Sequence, residues 1–185
     1  MRPKLPTIRS SLLRLHRAIL KSDDERWAID STPRLTTLEK MVILLEDRRF
    51  LDHRGMDWRS IARELWRVIR FKQHGGASTI DMQLFRTASD RYERTIRRKI
   101  RELVGVAVLQ RKFTKPEILR IYLKIAYFGT GLNGTVAATQ SMFPDNIDES
   151  ARASEDGNLT ADQAARLAAL LGREPINGIP KAALI

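Results

Sequence analysis

Apolar side chains recur every three or four positions along most of the chain, the spacing of helices that bury one face. Leu38, Met41, Val42, Leu44 and Leu45 form the inner face of a predicted helix over 36–47 that starts at Thr36 or Thr37. A broader stripe, Trp58, Ile61, Leu65, Trp66, Val68, Ile69 and Phe71, marks a helix over 57–71, with Arg59, Arg63, Arg67 and Arg70 between its apolar positions. Ser78 has the chemistry of an N-cap for a helix to about residue 88, with Asp81 as the carboxylate of a capping box. The longest pattern covers about 91–112. Thr114-Lys-Pro-Glu117 then opens another helix with a cap, an early proline and a glutamate at N3.

Glycines at 129, 131 and 134 predict a turn-rich link, followed by a short helix near 135–142. The polar, acidic stretch 144–158 reads as a mobile loop, and a last helix over 160–171 is capped by Thr160 and closed by Gly172. No convincing strand, internal repeat or low-complexity tract is present. The expected fold class is therefore mainly α.

Residues 1–21 carry six positive charges and no acid, with Leu12, Leu15 and Ile19 at helical spacing. Such a basic amphipathic segment suits an anionic membrane surface, and equally a surface helix packed on its own domain. Arg9, Arg14, Arg17 and Lys21 interrupt its apolar residues, so it does not read as a signal peptide. No run of 18 or more apolar residues occurs in the chain, so no transmembrane helix is expected.

Composition narrows the classes further. Hydrophobic residues make up 43% of the 185, enough for the core of one domain. The balance of 33 Lys plus Arg against 22 Asp plus Glu gives +11, which favours a polyanionic partner: nucleic acid, an anionic membrane or a phosphorylated substrate. The chain has no cysteine, which excludes disulfides, thiolate metal sites and a cysteine nucleophile.

Three stretches could carry chemistry. E46-D-R-R-F-L-D-H-R-G-M-D57 holds four acids, three arginines and a histidine directly after an apolar run. If the helix continues past Glu46, then Glu46, Phe50 and His53 share one face, and desolvation of Glu46 would bring it towards general-base work. Spacing alone favours a plainer alternative, a solvated helix end whose acids pair with Arg48 and Arg49. The second stretch, H74-G-G-A-S-T-I-D-M-Q83, could cradle an anion between glycines, Ser78, Thr79 and a helix N-terminus. It is not a Walker A loop, and a tight turn with a capped helix explains it as well. The third, Arg91 to Lys115, has nine positive charges against two negative. Arg94, Arg98 and Glu102 lie along one helix face with Lys99 and Arg101 beside it, a pattern suited to phosphate contacts or to a solvated basic face. Two carboxylates in different electrostatic settings are what glycosyl transfer uses.

Taken in order, these blocks resemble the peptidoglycan glycosyltransferases, family 51 of the glycosyltransferases. E46-D-R-R-F-L-D-H-R-G-M-D57 fits the family's E-D-x-x-F-x-x-H-x-G-x-D, and G75-G-A-S-T-I-D-M-Q-L84 is similar to G-G-x-S-T-I-T-Q-Q-L. R98-K-I-R-E102 fits R-K-x-x-E. E117-I-L-R-I-Y-L-K124 with F128-G-T-G-L-N-G134 resembles the fourth motif, and L159-T-A-D-Q-A-A-R-L-A-A-L170 the last helix.

The resemblance implies a lysozyme-like, two-lobed helical domain with a central cleft, over 36–185 with 144–158 as its loop, after a basic segment 1–35 without a transmembrane anchor. It implies a monofunctional enzyme that polymerises lipid II into glycan strands with release of undecaprenyl diphosphate. Glu46 would be the general base and Glu102 the second carboxylate, with Mg2+ or Mn2+ as the candidate metal and no organic cofactor. Arg86, Arg94, Arg98 and Lys99 fall where the family binds diphosphate. Ser78, Thr79 and Gln83 fall on the donor-loop motif, and Asp47, Phe50 and His53 on the first. The implied partners are lipid II, the growing strand and an anionic membrane surface, at the periplasmic or outer face of a bacterial cell membrane. The resemblance points to no nucleic acid and names no protein partner.

Asp81, Met82, Arg120, Lys124 and Gln163 depart from the family pattern. They motivate an alternative, a diverged homologue that binds lipid II or glycan with little turnover. A basic nucleic-acid-binding helical protein is a further alternative, resting on net charge alone.

Overall fold

In the computed structural model of the chain, which describes residues 34–59, 78–89, 96–129, 131–144 and 159–171 together with Ser10, Leu13, Arg17, Ala62, Arg63 and Trp66, helix α1 (Thr37–Glu46) begins at a complete capping box. The Glu39 N–H donates to Thr36 Oγ1 at 3.2 Å, and the Thr36 N–H donates to Glu39 Oε2 at 2.9 Å. Two of the helix's orphan amide donors are thus satisfied by local chemistry.

The buried face of α1 runs through Leu38, Glu39 and Val42. Leu44 and Leu45, expected on the inner face, are instead 51% and 53% exposed. The cause is electrostatic. Glu39 is drawn inward by Arg120, whose Nε donates to its Oε1 at 2.7 Å, and this turns the helix away from the leucines. The helix also stops at Glu46 rather than running on to His53. Asp47 is its C-cap, with an extended φ of −157°, and the Phe50 N–H donates to Asp47 O at 2.8 Å to begin a turn.

Four of the remaining described helices follow in chain order: α2 (Ile80–Ser89), α3 (Ile96–Lys112), α4 (Lys115–Ile125) and α5 (Thr135–Met142). Helix α6 (Ala161–Ala168) closes the set, with turn at 169–171 where the sequence predicts further helix. Among the described residues there is no strand, and Tyr127 and Asn133 form an isolated antiparallel bridge. Helix α4 is the axis of the core, since every residue from Ile118 to Lys124 is buried. It packs on α2 and α5, α2 packs also on α3, and α1 packs on α6. A helix buried on all sides needs apolar residues all round, or polar ones with partners. Ile118, Leu119, Ile121 and Leu123 supply the former, each burial contributing about 1.5–3 kcal/mol. Arg120 supplies the latter through Glu39 and Arg34 O.

The cap predicted at Ser78 falls one residue later. Thr79 Oγ1 accepts from the Met82 N–H at 3.3 Å and donates to Gly55 O at 2.8 Å. A hydroxyl both donates and accepts, so Thr79 ties the start of α2 to the loop after α1. Asp81 is consequently not a capping residue. It is fully buried and reaches Lys115 and Gln110. The caps at Thr114 and Thr160 stand as expected. Glu117 Oε2 accepts from the Thr114 N–H, and Gln163 Oε1 from the Thr160 N–H at 2.9 Å.

Trp58, Arg59, Ala62, Arg63 and Trp66 are helical and exposed, the two tryptophans by 67% and 54%. The remainder of the stripe over 57–71 lies outside the described residues, as do the loop 145–158, Gly172 and most of the segment 1–35. No helix of the described residues is long and apolar enough to cross a membrane.

Candidate active site

Glu46, the last residue of α1, is half-buried, and its side chain turns to the first turn of α2. Gln83 Nε2 donates to Glu46 Oε2 at 2.9 Å. Gln83 Oε1 accepts from Tyr122 Oη at 2.8 Å. A carboxylate only accepts, so the amide must present its NH2 to Glu46 and its oxygen to the tyrosine. Glu46 Oε1 has no hydrogen-bond partner among the described residues.

Asp47 lies behind the base. Its Oδ2 accepts from His53 Nε2 at 2.9 Å and from the Ile80 N–H at 3.2 Å. The negative charge meets the N-terminus of α2, where the helix dipole favours it. Phe50 is fully buried, and its ring carries the Lys115 ammonium 4.2 Å from its centre. Asp47, Phe50 and His53 are thus interior groups that fix the end of α1 against α2. Burial lowers the pKa of Lys115, opposed by the charges of Asp81 and Asp47.

Glu102 sits on α3 with 2% exposure. Arg98 Nη1 donates to its Oε1, and Lys99 Nζ is 3.4 Å from its Oε2. Oε2 makes no hydrogen bond. The Lys99 ammonium is also 3.1 Å from Met82 Sδ, and its side chain is 38% exposed. A thioether is a weak acceptor, so Lys99 keeps donors for a ligand.

The two sides meet on α2. Met82 touches the cation beside Glu102, and the next residue, Gln83, holds Glu46. Thr79 is buried at the head of the same helix, Ser78 is half-buried before it, and Arg86 is half-buried in its last turn. Arg94 lies outside the described residues. Sequence reading missed Tyr122. Its signal was available, because a tyrosine on a wholly apolar helix face must find a partner for its hydroxyl.

No group of three metal-ligating side chains includes Glu102 among the described residues. One carboxylate beside an arginine and a lysine does not fit a divalent-metal site for Mg2+ or Mn2+. Asp47, His53 and Asp81 do bring ligand atoms within 4.8 Å of one another, but both oxygens of Asp81 are already engaged by Gln110 and Lys115.

This mainly helical domain holds two carboxylates in different settings, one on an amide and one among cations, an arrangement that glycosyl transfer can use. The chain belongs to the transglycosylase family, whose model matches residues 14–181. It is 34% identical over 125 residues to penicillin-binding protein 1A of Rickettsia bellii (strain RML369-C), covering 65% of this chain and 16% of that protein. It is 32% identical over 129 residues to penicillin-binding protein 1F of Bacillus subtilis (strain 168), covering 69% and 17%. With penicillin-binding protein 2a of Streptococcus pneumoniae serotype 2 (strain D39 / NCTC 7466) it shares 33% over 146 residues, 77% of this chain and 18% of the relative. The chain thus spans about a sixth of the length of these curated relatives.

Proposed function

We propose that this chain is a peptidoglycan glycosyltransferase that joins lipid II units into glycan strands at the outer face of a bacterial cell membrane. The observation that carries this reading is the coupling of Glu46 and Glu102 through consecutive residues, Gln83 and Met82, of one helix. Glu46 takes the proton of the acceptor sugar's 4-hydroxyl. That oxygen forms a bond to the anomeric carbon of the donor strand as the bond from that carbon to the diphosphate oxygen breaks. The bonding pair leaves with undecaprenyl diphosphate, and configuration at the anomeric carbon inverts.

Gln83 leaves Glu46 Oε1 as the oxygen that accepts the proton, because its NH2 engages Oε2. Lys99, partly exposed and weakly held by sulfur, meets the departing charge. Glu102 holds Arg98 and Lys99 together, so that cations needed by the leaving group do not splay apart. Three of the departures from the family pattern are used away from this chemistry, since Asp81 pairs with Lys115, Arg120 with Glu39, and Gln163 caps α6, whereas Met82 stands in the site against Lys99. Exposed Trp58 and Trp66, with Arg59 and Arg63 between them, suit an anionic membrane surface.

The test is polymerisation of lipid II in detergent. Wild-type protein should yield glycan strands and Glu46→Gln none, with both variants equally folded by circular dichroism. Undiminished product from Glu46→Gln would remove Glu46 from the mechanism.

A further inference from the structure

Tyr122 is 3% exposed, too deeply buried to touch a sugar or a diphosphate, yet its hydroxyl is joined through the Gln83 amide to the base. The direction of each bond in that chain is fixed by chemistry. Ionised Glu46 offers no proton, so Gln83 donates to it. The Gln83 oxygen must then face Tyr122, and a carbonyl only accepts, so the tyrosine donates.

We infer that Tyr122 is a positioning residue for the transfer reaction: by donating to Gln83 Oε1 it locks the amide in the one orientation that offers N–H, rather than oxygen, to Glu46. This rests on the functional reading above and deepens it. Without the hydroxyl, the Gln83 amide loses the anchor on its oxygen and keeps only its bond to Glu46 Oε2, so its plane can swing and carry the carboxylate from its place. The lock also decides which oxygen works, since an amide held on Oε2 leaves Oε1 for the incoming hydroxyl proton. The elements suit a fixed device. Tyr122 lies on α4, the buried axis of the core, Gln83 is 6% exposed on α2, and Glu46 ends α1, so three helices set the register.

The experiment compares steady-state polymerisation of lipid II by wild type, Tyr122→Phe, Gln83→Ala and the double variant, with Glu46→Gln as the inactive control. Tyr122→Phe is expected to lower kcat by up to about 100-fold, the scale of a misplaced catalytic group, with KM within about twofold of wild type. Gln83→Ala should do the same, and the double variant should be no slower than Gln83→Ala, because the hydroxyl acts only through the amide. A wild-type kcat in Tyr122→Phe, or losses that multiply in the double variant, would overturn the inference. If Tyr122→Phe loses its cooperative thermal transition, Gln83→Met replaces it, keeping volume while removing both amide contacts; there too a wild-type kcat overturns the proposal.

A second readout does not need turnover. The Gln83 side-chain amide protons, followed by nuclear magnetic resonance, should be protected from exchange in wild type and lose protection in Tyr122→Phe. Equal exchange in both proteins would sink the lock. If wild type makes no polymer while this protection is seen, it is the glycosyltransferase reading that fails, and the lock stands.

Discussion

The Lys115 ammonium lies 2.9 Å from Asp81 Oδ2, and the Asp81 side chain is completely buried. Gln110 donates to the other oxygen, so the carboxylate is fully satisfied inside the protein. Removing one member of a buried pair leaves an uncompensated charge, which costs about 3–5 kcal/mol, whereas replacing both by apolar groups can be nearly neutral. Lys115→Met should therefore lower stability to urea by about that amount, and Lys115→Met with Asp81→Leu should recover most of it. A single variant as stable as wild type would show that the pair contributes nothing.

The same lysine predicts a pH dependence. Burial holds its folded-state pKa below the ordinary 10.5, so across the interval between the lowered value and 10.5 the unfolded chain binds more protons than the folded one. Stability then rises with pH through that interval, as the penalty of burying the ammonium is relieved. Other lysines titrate there too, so the quantity to measure is the difference between wild type and Lys115→Met in urea midpoints taken across it. Wild type is the more stable of the two, so a difference that grows with rising pH is the expected outcome; one that shrinks would reverse the assignment.

Such pairs mark the boundary of what could be read in advance. Thr36 with Glu39, Thr114 with Glu117 and Thr160 with Gln163 are three residues apart, and local capping chemistry exposes them in any sequence. Helix periodicity is equally local, and among the described residues the helices lie nearly where it places them. Asp81 misled because it stands three residues after Ser78, while its true partner is 34 residues away on α4. Leu44 and Leu45 misled because Arg120, 81 residues beyond Glu39, rotates α1. At the site, Glu46 and Glu102 were legible as motif carboxylates. Their link through Met82, Gln83 and Tyr122 was not, since it depends on how three helices meet.

Arg120 and Glu39 give a second stability prediction. Both are about 3% exposed or less, and Glu39 Oε2 also receives the Thr36 N–H. Arg120→Leu strands a buried carboxylate that still has one amide donor, and about 3–5 kcal/mol should be lost. Glu39→Gln keeps an oxygen for the cap and should cost less than Arg120→Leu. Urea midpoints in the reverse order would show that the cap, not the ion pair, holds the end of α1.

Lys99 gives a prediction on activity. Its side chain is the more exposed of the two cations on Glu102 and is held on one side only by sulfur. If it meets charge that develops on the leaving diphosphate, Lys99→Ala should lower kcat/KM by about 100-fold or more, the typical loss of one such donor. Lys99→Arg should restore part of it. A change of less than about threefold in Lys99→Ala would place the diphosphate elsewhere, because a charge-assisted contact is worth more than that.

Gly105 on α3 tests how tightly that geometry is held. Two opposing effects apply to Gly105→Ala. Alanine is about 1 kcal/mol better than glycine inside a helix. But a Cβ at 105 would stand 2.1 Å from Phe85 Cε2, where no real contact forms, and Phe85 is itself buried on α2. Its ring has little room to retreat, and overpacking of this kind costs about 1–3 kcal/mol. The steric effect should win, lowering the thermal midpoint despite the better helix former. Because α2 also carries Met82 and Gln83, moving it away from α3 lengthens the Met82–Lys99 contact before it disturbs Gln83 and Glu46, which lie on the α1 side. The expected signature is a rise in KM for lipid II larger than the fall in kcat. A more stable Gly105→Ala protein with unchanged kinetics would mean that Phe85 yields easily and that the spacing of α2 and α3 is not what holds Lys99 in place.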